Sequence, residues 1–187
     1  MTANIYELPA NLPIPEDDGA ANHLVGMRLP TISLLATNGI SINLSAQSGK
    51  LIIYCYPMTG KPNVPLPEGW DDIAGARGCT PQSCAYRDRY GELKKLGYEV
   101  FALSTQQHDY QLEMAERLAL PFLVLSDHQL DFAKALTLPT FEVAGMTLLK
   151  RLTMIIEAGV IKAVHYPIFP SHSDPEWVMQ KLEILRS

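Results

Sequence analysis

The chain predicts an α/β fold, a sandwich of helices around a mixed β-sheet. Apolar runs of strand length alternate with amphipathic stretches of helix length from residue 50 to residue 135. The run Lys50-Leu51-Ile52-Ile53-Tyr54-Cys55-Tyr56 is continuously apolar after its lysine and ends at Pro57, as expected of a strand buried on both faces. Near the end, two further strand-like runs flank Glu157-Ala158-Gly159, which reads as a hairpin turn and makes the sheet mixed.

Residues 1–24 are rich in proline, asparagine and acid, with Pro9, Pro13, Pro15, Glu16, Asp17 and Asp18, and read as an extended arm. The folded domain is expected over 25–187. It opens with an N-terminal hairpin, strands 30–36 and 40–44 around Thr37-Asn38-Gly39. After strand 50–56, residues 58–78 form a long loop containing Pro62, Pro65, Pro67 and Trp70. A loop of that length is uncommon in a compact domain unless it has a function. Trp70 is expected to anchor it, with a partner contact as the alternative.

A helix is expected over 80–96. Thr80 suits an N-cap, Pro81 the first helical position, Lys94 and Lys95 the negative end, and Gly97 the stop. Strand 98–104 follows, then helix 107–118, whose stripe of Tyr110, Met114, Ala115 and Leu118 reads as core. A strand at 121–125, a short helix at 129–135, strands at 150–156 and 160–165, and a helix at 174–185 with Pro175 at its first position complete the chain.

Composition narrows the function. The 187 residues suffice for one hydrophobic core, and 47% apolar with 19% charged residues is usual for a globular domain. A net charge of −5 with no basic run argues against nucleic-acid binding. The first residues lack the basic and apolar segments of a leader, and no apolar stretch reaches the roughly 18 residues of a membrane span. A cytoplasmic location is the expectation, and it favours reactive over structural cysteines.

The chemistry points to Cys79 and Cys84 in Gly78-Cys79-Thr80-Pro81-Gln82-Ser83-Cys84. Cys79 lies at the expected helix start, where unsatisfied backbone N–H groups stabilise a thiolate, with Arg77 and Arg87 near. In an intact helix the two side chains stand about 140° apart around the axis, with a rise of about 7.5 Å. A disulfide needs Cα atoms within about 7 Å, so the first turns must unwind before one forms. Cys55, inside the buried run, reads as an inert small hydrophobe. The histidines are scattered without ligand spacing, so neither a metal nor a cofactor is expected. His108, His128 and His165 read as surface or satisfied polar residues, and Arg87 as a structural ion pair.

With these residues in view, the chain resembles the peroxiredoxins of the bacterioferritin-comigratory-protein, or Q-type, branch. The likeness rests on Gly78-Cys79-Thr80 with Gln82 and Cys84, on Tyr56-Pro57 and on Leu103-Ser104-Thr105. Leu120-Pro121-Phe122, Leu125-Ser126-Asp127 and the run from Arg151 through Ile156 extend it. It implies a thioredoxin-like fold, a central mixed sheet flanked by helices, and Cys79 as the thiol that attacks a peroxide. It further implies Cys84 as the resolving thiol and Arg151 as the arginine beside the sulfur. Hydrogen peroxide or an organic hydroperoxide would be the substrate and a thioredoxin-like dithiol protein the reductant, in a monomer or weak homodimer.

Two departures stand out. The family carries a threonine or serine three residues before the reactive cysteine and a proline seven before; this chain has Ala76 and Asp72 there. Residues 58–78 read as an insertion that displaces those positions. Thr59 is then the nearest upstream hydroxyl, while the Thr80 hydroxyl or the amides of Gly78 and Cys79 are alternative peroxide contacts. Two other readings remain: a general disulfide oxidoreductase, disfavoured because Cys-x-x-Cys is absent, and a peroxide-responsive sensor or binding protein.

Overall fold

The computed structural model describes residues 6–187. The start of the predicted arm and most of the stretch read for a leader, residues 1–5, lie outside them. Seven strands form one mixed sheet: β1 (Ser33–Ala36), β2 (Ser41–Asn43), β3 (Lys50–Cys55), β4 (Tyr98–Ser104), β5 (Leu123–Ser126), and the pair numbered β8 (Leu152–Glu157) and β9 (Val160–His165). Their spatial order is β2-β1-β5-β4-β3-β8-β9. β3 and β4 pair in parallel, as do β4 and β5, while β8 runs antiparallel to β3. The expected mixed sheet is therefore present.

β3 is buried on both sides because its side chains alternate between two cores. Leu51, Ile53 and Cys55 join Leu34, Leu103 and Phe132 on one face. Ile52, Tyr54 and Tyr56 join Tyr86, Met114 and Val178 on the other. That second face is covered by α1 (Cys79–Lys95), α2 (His108–Arg117) and α4 (Asp174–Arg186), and α3 (Asp131–Leu136) packs on the first. Tyr54 and Tyr86 stack at 4.3 Å between ring centroids, locking α1 to the central strand.

Several expectations need correction. α1 begins at Cys79, capped by Gly78 at φ 114° with no side-chain bond, so Thr80 is the second helical residue and not the cap. A Cβ on Gly78 would lie 2.3 Å from Ser171 Oγ, so close packing as well as the left-handed φ calls for glycine. In the stripe of α2, Met114 is fully buried as expected, Tyr110 is only half-buried, and Gln111 beside it is fully buried. Its Nε2 donates to Ser104 Oγ (2.9 Å) and the Leu125 carbonyl (2.7 Å), while its buried Oε1 makes no hydrogen bond, at a position that periodicity assigns to the surface. The hairpin β6 (Thr140–Val143) and β7 (Met146–Leu149), turning at Ala144 and Gly145, was not expected at all. Pro175 is the second residue of α4, whose first is Asp174.

The stretch 58–78 is not structureless. Residues Trp70–Asp72 make a 3-10 turn, and Trp70 is buried with Ala76 and Leu148 beside Phe141 of β6. The indole thus anchors the loop to the β6–β7 hairpin. Among the described residues, the arm crosses the domain surface: Asp18 pairs with Lys150 (2.6 Å) and accepts from Tyr166 (2.8 Å), and Leu24 is fully buried. Among the described residues no helix is long and apolar enough to cross a membrane.

Candidate active site

Cys79 sits at the first turn of α1, 3% exposed, where the helix meets the end of the 58–78 loop. Arg151 precedes β8, the antiparallel neighbour of β3, and reaches the same point from the sheet. Its Nη2 donates to Cys79 Sγ at 3.3 Å and to the carbonyls of Gly75, Ala76 and Arg77 at 3.2, 3.1 and 3.3 Å. Nη1 donates to Gln82 Oε1 at 2.5 Å, and the buried Nε makes no hydrogen bond. Arg151 is itself 3% exposed and, among the described residues, in no ion pair with a carboxylate. The sulfur is thus the group in contact with it that can take negative charge, and in so dry a setting that attraction is strong.

A buried carboxylate acts at one remove. Gln82, three residues into α1 and fully buried, donates its Nε2 to Asp174 Oδ2 at 2.8 Å. Tyr86 (2.8 Å) and Thr153 (2.7 Å) donate to the same oxygen, and His165 Nδ1 lies 2.7 Å from Oδ1. His165 also stacks on Trp177 at 4.3 Å. Burial, reinforced by the Asp174 charge, pushes the Tyr86 phenol well up, so it remains a donor. A buried cation and a buried anion are thereby joined through a neutral amide, each with its hydrogen-bonding groups largely satisfied.

Thr59, 2% exposed, lines a small cavity beside Cys79 with Gly78, Thr80 and Arg77. Gln106 clamps it: Thr59 N and Oγ1 donate to Gln106 Oε1 (3.1 and 3.3 Å), and Gln106 Nε2 donates to the Thr59 carbonyl (3.2 Å). Ala76 supplies no hydroxyl, but its carbonyl accepts from Arg151 and faces Cys79 Sγ at 3.8 Å. Arg77 lines the cavity and pairs with Asp71 at 3.0 Å.

Cys84 lies further along α1, half-buried, and both thiols are free. Burial raises its thiol above the usual range, opposed in part by Arg87. Cys55 is fully buried in β3 and its thiol is likewise raised by burial, as suits core. Arg87 pairs with Asp88 at 3.0 Å and donates to the Leu118 carbonyl, away from Cys79. Of the histidines, His128 is exposed, His165 is held by Asp174, and His108 departs from expectation with a buried, unpartnered Nε2.

The redoxin family model matches residues 24–179. The chain belongs to the redoxin family. A chloroplastic peroxiredoxin Q of Oryza sativa subsp. japonica is 29% identical over 195 aligned residues, spanning 100% of this chain and 80% of that one. Peroxiredoxin Bcp of Escherichia coli (strain K12) is 34% identical over 99 residues, 52% of this chain and 54% of that one. Among solved structures, peroxidoxin BcpB of Mycobacterium tuberculosis superposes with a TM-score of 0.71 at 22% identity, covering 87% of this redoxin and 98% of its own chain. The bacterioferritin comigratory protein of Xanthomonas campestris, studied for alkyl peroxide reduction, gives 0.69 at 18%, covering 86% and 98%. The thioredoxin-like fold with its central mixed sheet is therefore that of the peroxiredoxins.

Sequence reasoning missed the residues behind Arg151. Gln82 enters the motif only as a match, yet it bridges Arg151 to Asp174. Asp174 and Thr153 carry no local signal. The one available hint is an aspartate next to a proline at a helix start, which a solvated helix end would leave exposed, whereas Asp174 is fully buried.

Proposed function

We propose that this redoxin is a thiol-dependent peroxidase using Cys79 as nucleophile, Arg151 as electrostatic partner and Cys84 as resolving thiol. The observation behind the reading is the 3.3 Å contact of Arg151 Nη2 with the sulfur at the first turn of α1, with Cys84 in the same helix. Its peroxiredoxin Q and Bcp relatives support the same chemistry.

In this cycle the Cys79 thiolate attacks the terminal oxygen of a hydroperoxide. The O–O bond breaks, the remaining oxygen leaves as water or alcohol with a proton, and Cys79 becomes a sulfenic acid. Arg151 stabilises charge on the sulfur and then on the departing oxygen, and its unpartnered Nε keeps one donor in reserve. The Thr59 hydroxyl, already donating to Gln106, is suited to accept a hydrogen bond from the peroxide, with Thr80 and the Gly78 and Cys79 amides lining the same space.

Cys84 cannot attack from within the helix. Unwinding the first turns brings it to Cys79 and removes the burial that raises its thiol, so one event supplies both reach and reactivity. Condensation releases water and forms the disulfide, which a thioredoxin-like dithiol protein reduces by exchange. Both thiols belong to one chain, so a monomer closes the cycle, in a reducing compartment such as the cytoplasm.

The test couples NADPH oxidation through thioredoxin reductase and thioredoxin to peroxide consumption, for wild type, Cys79→Ser and Cys84→Ser. Cys79→Ser is expected to abolish turnover, and Cys84→Ser to be oxidised once yet fail to turn over with thioredoxin. No turnover with any peroxide, despite a Cys79 that alkylates readily, would sink the peroxidase and leave a redox sensor in its place.

A further inference from the structure

The described part of the N-terminal arm runs over the start of α1. It precedes residues 24–179, which match the redoxin family, and so stands outside the shared domain. At one end, Arg117 Nη1 donates to the Tyr6 hydroxyl at 3.2 Å, and the guanidinium stands 5.8 Å over the Tyr6 ring. Arg117 is also one of the cations that act on the Cys84 thiol. At the other end, Asp18 is held by Lys150 and Tyr166, next to Arg151. Between these ties, Leu8, Leu12 and Pro13 close over Ile73, Ile168 and Phe169 with about 10 Å³ of free space among them. Leu8 Cδ2 lies 3.0 Å from where a Cβ on Gly78 would stand, and Ser171 Cβ lies 3.0 Å from the same point. Leu8 is thus wedged against both the cap of α1 and the turn before α4.

The hold is built to be reversible. Among the described residues, no backbone–backbone hydrogen bond joins 6–18 to the domain, so side chains alone keep the arm in place. The two polar ties are exposed, and exposed pairs contribute little. The half-buried side chains of Leu8 and Leu12 therefore supply most of the attachment.

We propose that the arm is a detachable strap on the resolving step, an inference that rests on the peroxidase reading above. While seated it keeps the first turn of α1 folded, and it lifts before Cys84 reaches Cys79. Unwinding that turn requires Gly78 to leave Ser171 and Leu8. The carbonyls of Gly75 and Arg77, which accept from Arg151 Nη2, belong to the stretch beneath the arm. The seated strap thus favours the geometry that attacks peroxide, and the lifted one favours condensation. In condensation the Cys84 sulfur displaces the hydroxyl of the Cys79 sulfenic acid. The S–O bond breaks, the S–S bond forms, and the hydroxyl leaves with the thiol proton as water.

The experiment uses the full-length reduced chain and one equivalent of hydrogen peroxide. Timed acid quench, alkylation and mass spectrometry follow sulfenic acid and disulfide separately. Leu8→Ala gives up part of a half-buried leucine contact and should speed disulfide formation about fivefold, with the rate of Cys79 oxidation unchanged. Leu12→Ala, in the same trough, should act in the same direction, whereas Ile14→Ala, at an exposed position of the arm, should not. A glutamate-specific endoproteinase supplies a readout on wild type: it should cut after Glu7 and Glu16 faster in the disulfide form than in the reduced form. An unchanged disulfide rate in Leu8→Ala or Leu12→Ala, an equal gain in Ile14→Ala, or equal cutting of the two forms overturns the strap and leaves the peroxidase standing. Failure of every peroxide to oxidise Cys79, or a sulfenic acid that never becomes a disulfide, overturns the two-thiol cycle, and the strap falls with it.

Discussion

Asp174→Asn separates charge from shape in the network behind the sulfur. Asparagine keeps an oxygen for Gln82, Tyr86 and Thr153, and its amide can face His165 once the imidazole presents a bare Nδ1. The negative charge is lost. Arg151 is then a buried guanidinium with neutral acceptors and the sulfur for company. Removing one partner of a buried pair costs about 3–5 kcal/mol, and the lower figure applies because Gln82 stands between the two charges. At about 2–4 °C per kcal/mol for a chain of this size, Tm should fall by about 6–12 °C.

Activity should respond differently. With Asp174 neutral, no carboxylate competes with Cys79 for Arg151, and Gln82 still holds the guanidinium. The stopped-flow rate of Cys79 oxidation by hydrogen peroxide should therefore stay within about threefold of wild type. Gln82→Leu removes the side chain that fixes Arg151 Nη1 and should lower the same rate about tenfold, the equivalent of about 1.4 kcal/mol from one lost charge-assisted bond. Two results would refute the reasoning: an Asp174→Asn protein with Tm within a degree of wild type, or a folded Gln82→Leu protein that oxidises at the wild-type rate.

Trp70→Ala empties the small core under the loop and should cost about 3–5 kcal/mol, seen as fast hydrogen exchange and proteolytic cleavage within 60–76 with β3 and β4 still protected. Cys84 has its thiol raised by burial, so reduced Cys79→Ser protein should alkylate at Cys84 only above the pH at which an exposed thiol reacts. The sign for stability follows. The contribution is complete below the unfolded thiol's pKa and is lost as pH rises through the folded one, so urea midpoints should decline in that alkaline window more than in Cys84→Ala. Ser83→Ala leaves the buried Tyr54 hydroxyl without the partner now 3.0 Å away, a cost of about 1–3 kcal/mol that local unwinding of α1 relieves. Disulfide formation after a single peroxide pulse should accelerate and sulfinic acid at high peroxide should decline, both read by mass spectrometry.

What the sequence disclosed followed from period and punctuation. β3 and β4 were legible because a two-sided strand is a run of apolar residues, and α4 because its apolar face repeats. The hairpin β6–β7 was not, since its side chains alternate between half-buried and exposed and its turn begins with Ala144, an uncommon residue at positive φ. The cap moved by two residues, from Thr80 to Gly78, where close packing against Ser171, distant in sequence, admits only glycine. At the site, Cys79, Cys84 and Arg151 were visible as residue types in a pattern. The partners Gln106 and Asp174 were not, because each acts through a contact made only once β4, β8 and α4 are assembled.

The same contacts set a conflict at the heart of the proposed cycle. The first two turns of α1 are pinned by Gly78 against Ser171, by Gln82 and Tyr86 on Asp174, and by Ser83 on Tyr54. These pins hold Cys79 beside Arg151, which the attack on peroxide requires. They also hold Cys84 away from it, which resolution must undo. Stronger pins would prolong the sulfenic acid and expose it to a second peroxide, and weaker ones would let the sulfur drift from the guanidinium. Most of the pins converge on α4 and the turn before it, not on the β-sheet. Undocking the C-terminal helix is therefore the economical way to release α1, since it frees Gln82 and Tyr86 together while β3, β4 and β8 stay paired. In the proposed cycle the C-terminal helix, far from Cys79 in sequence, is then the element whose release sets how long the sulfenic acid persists.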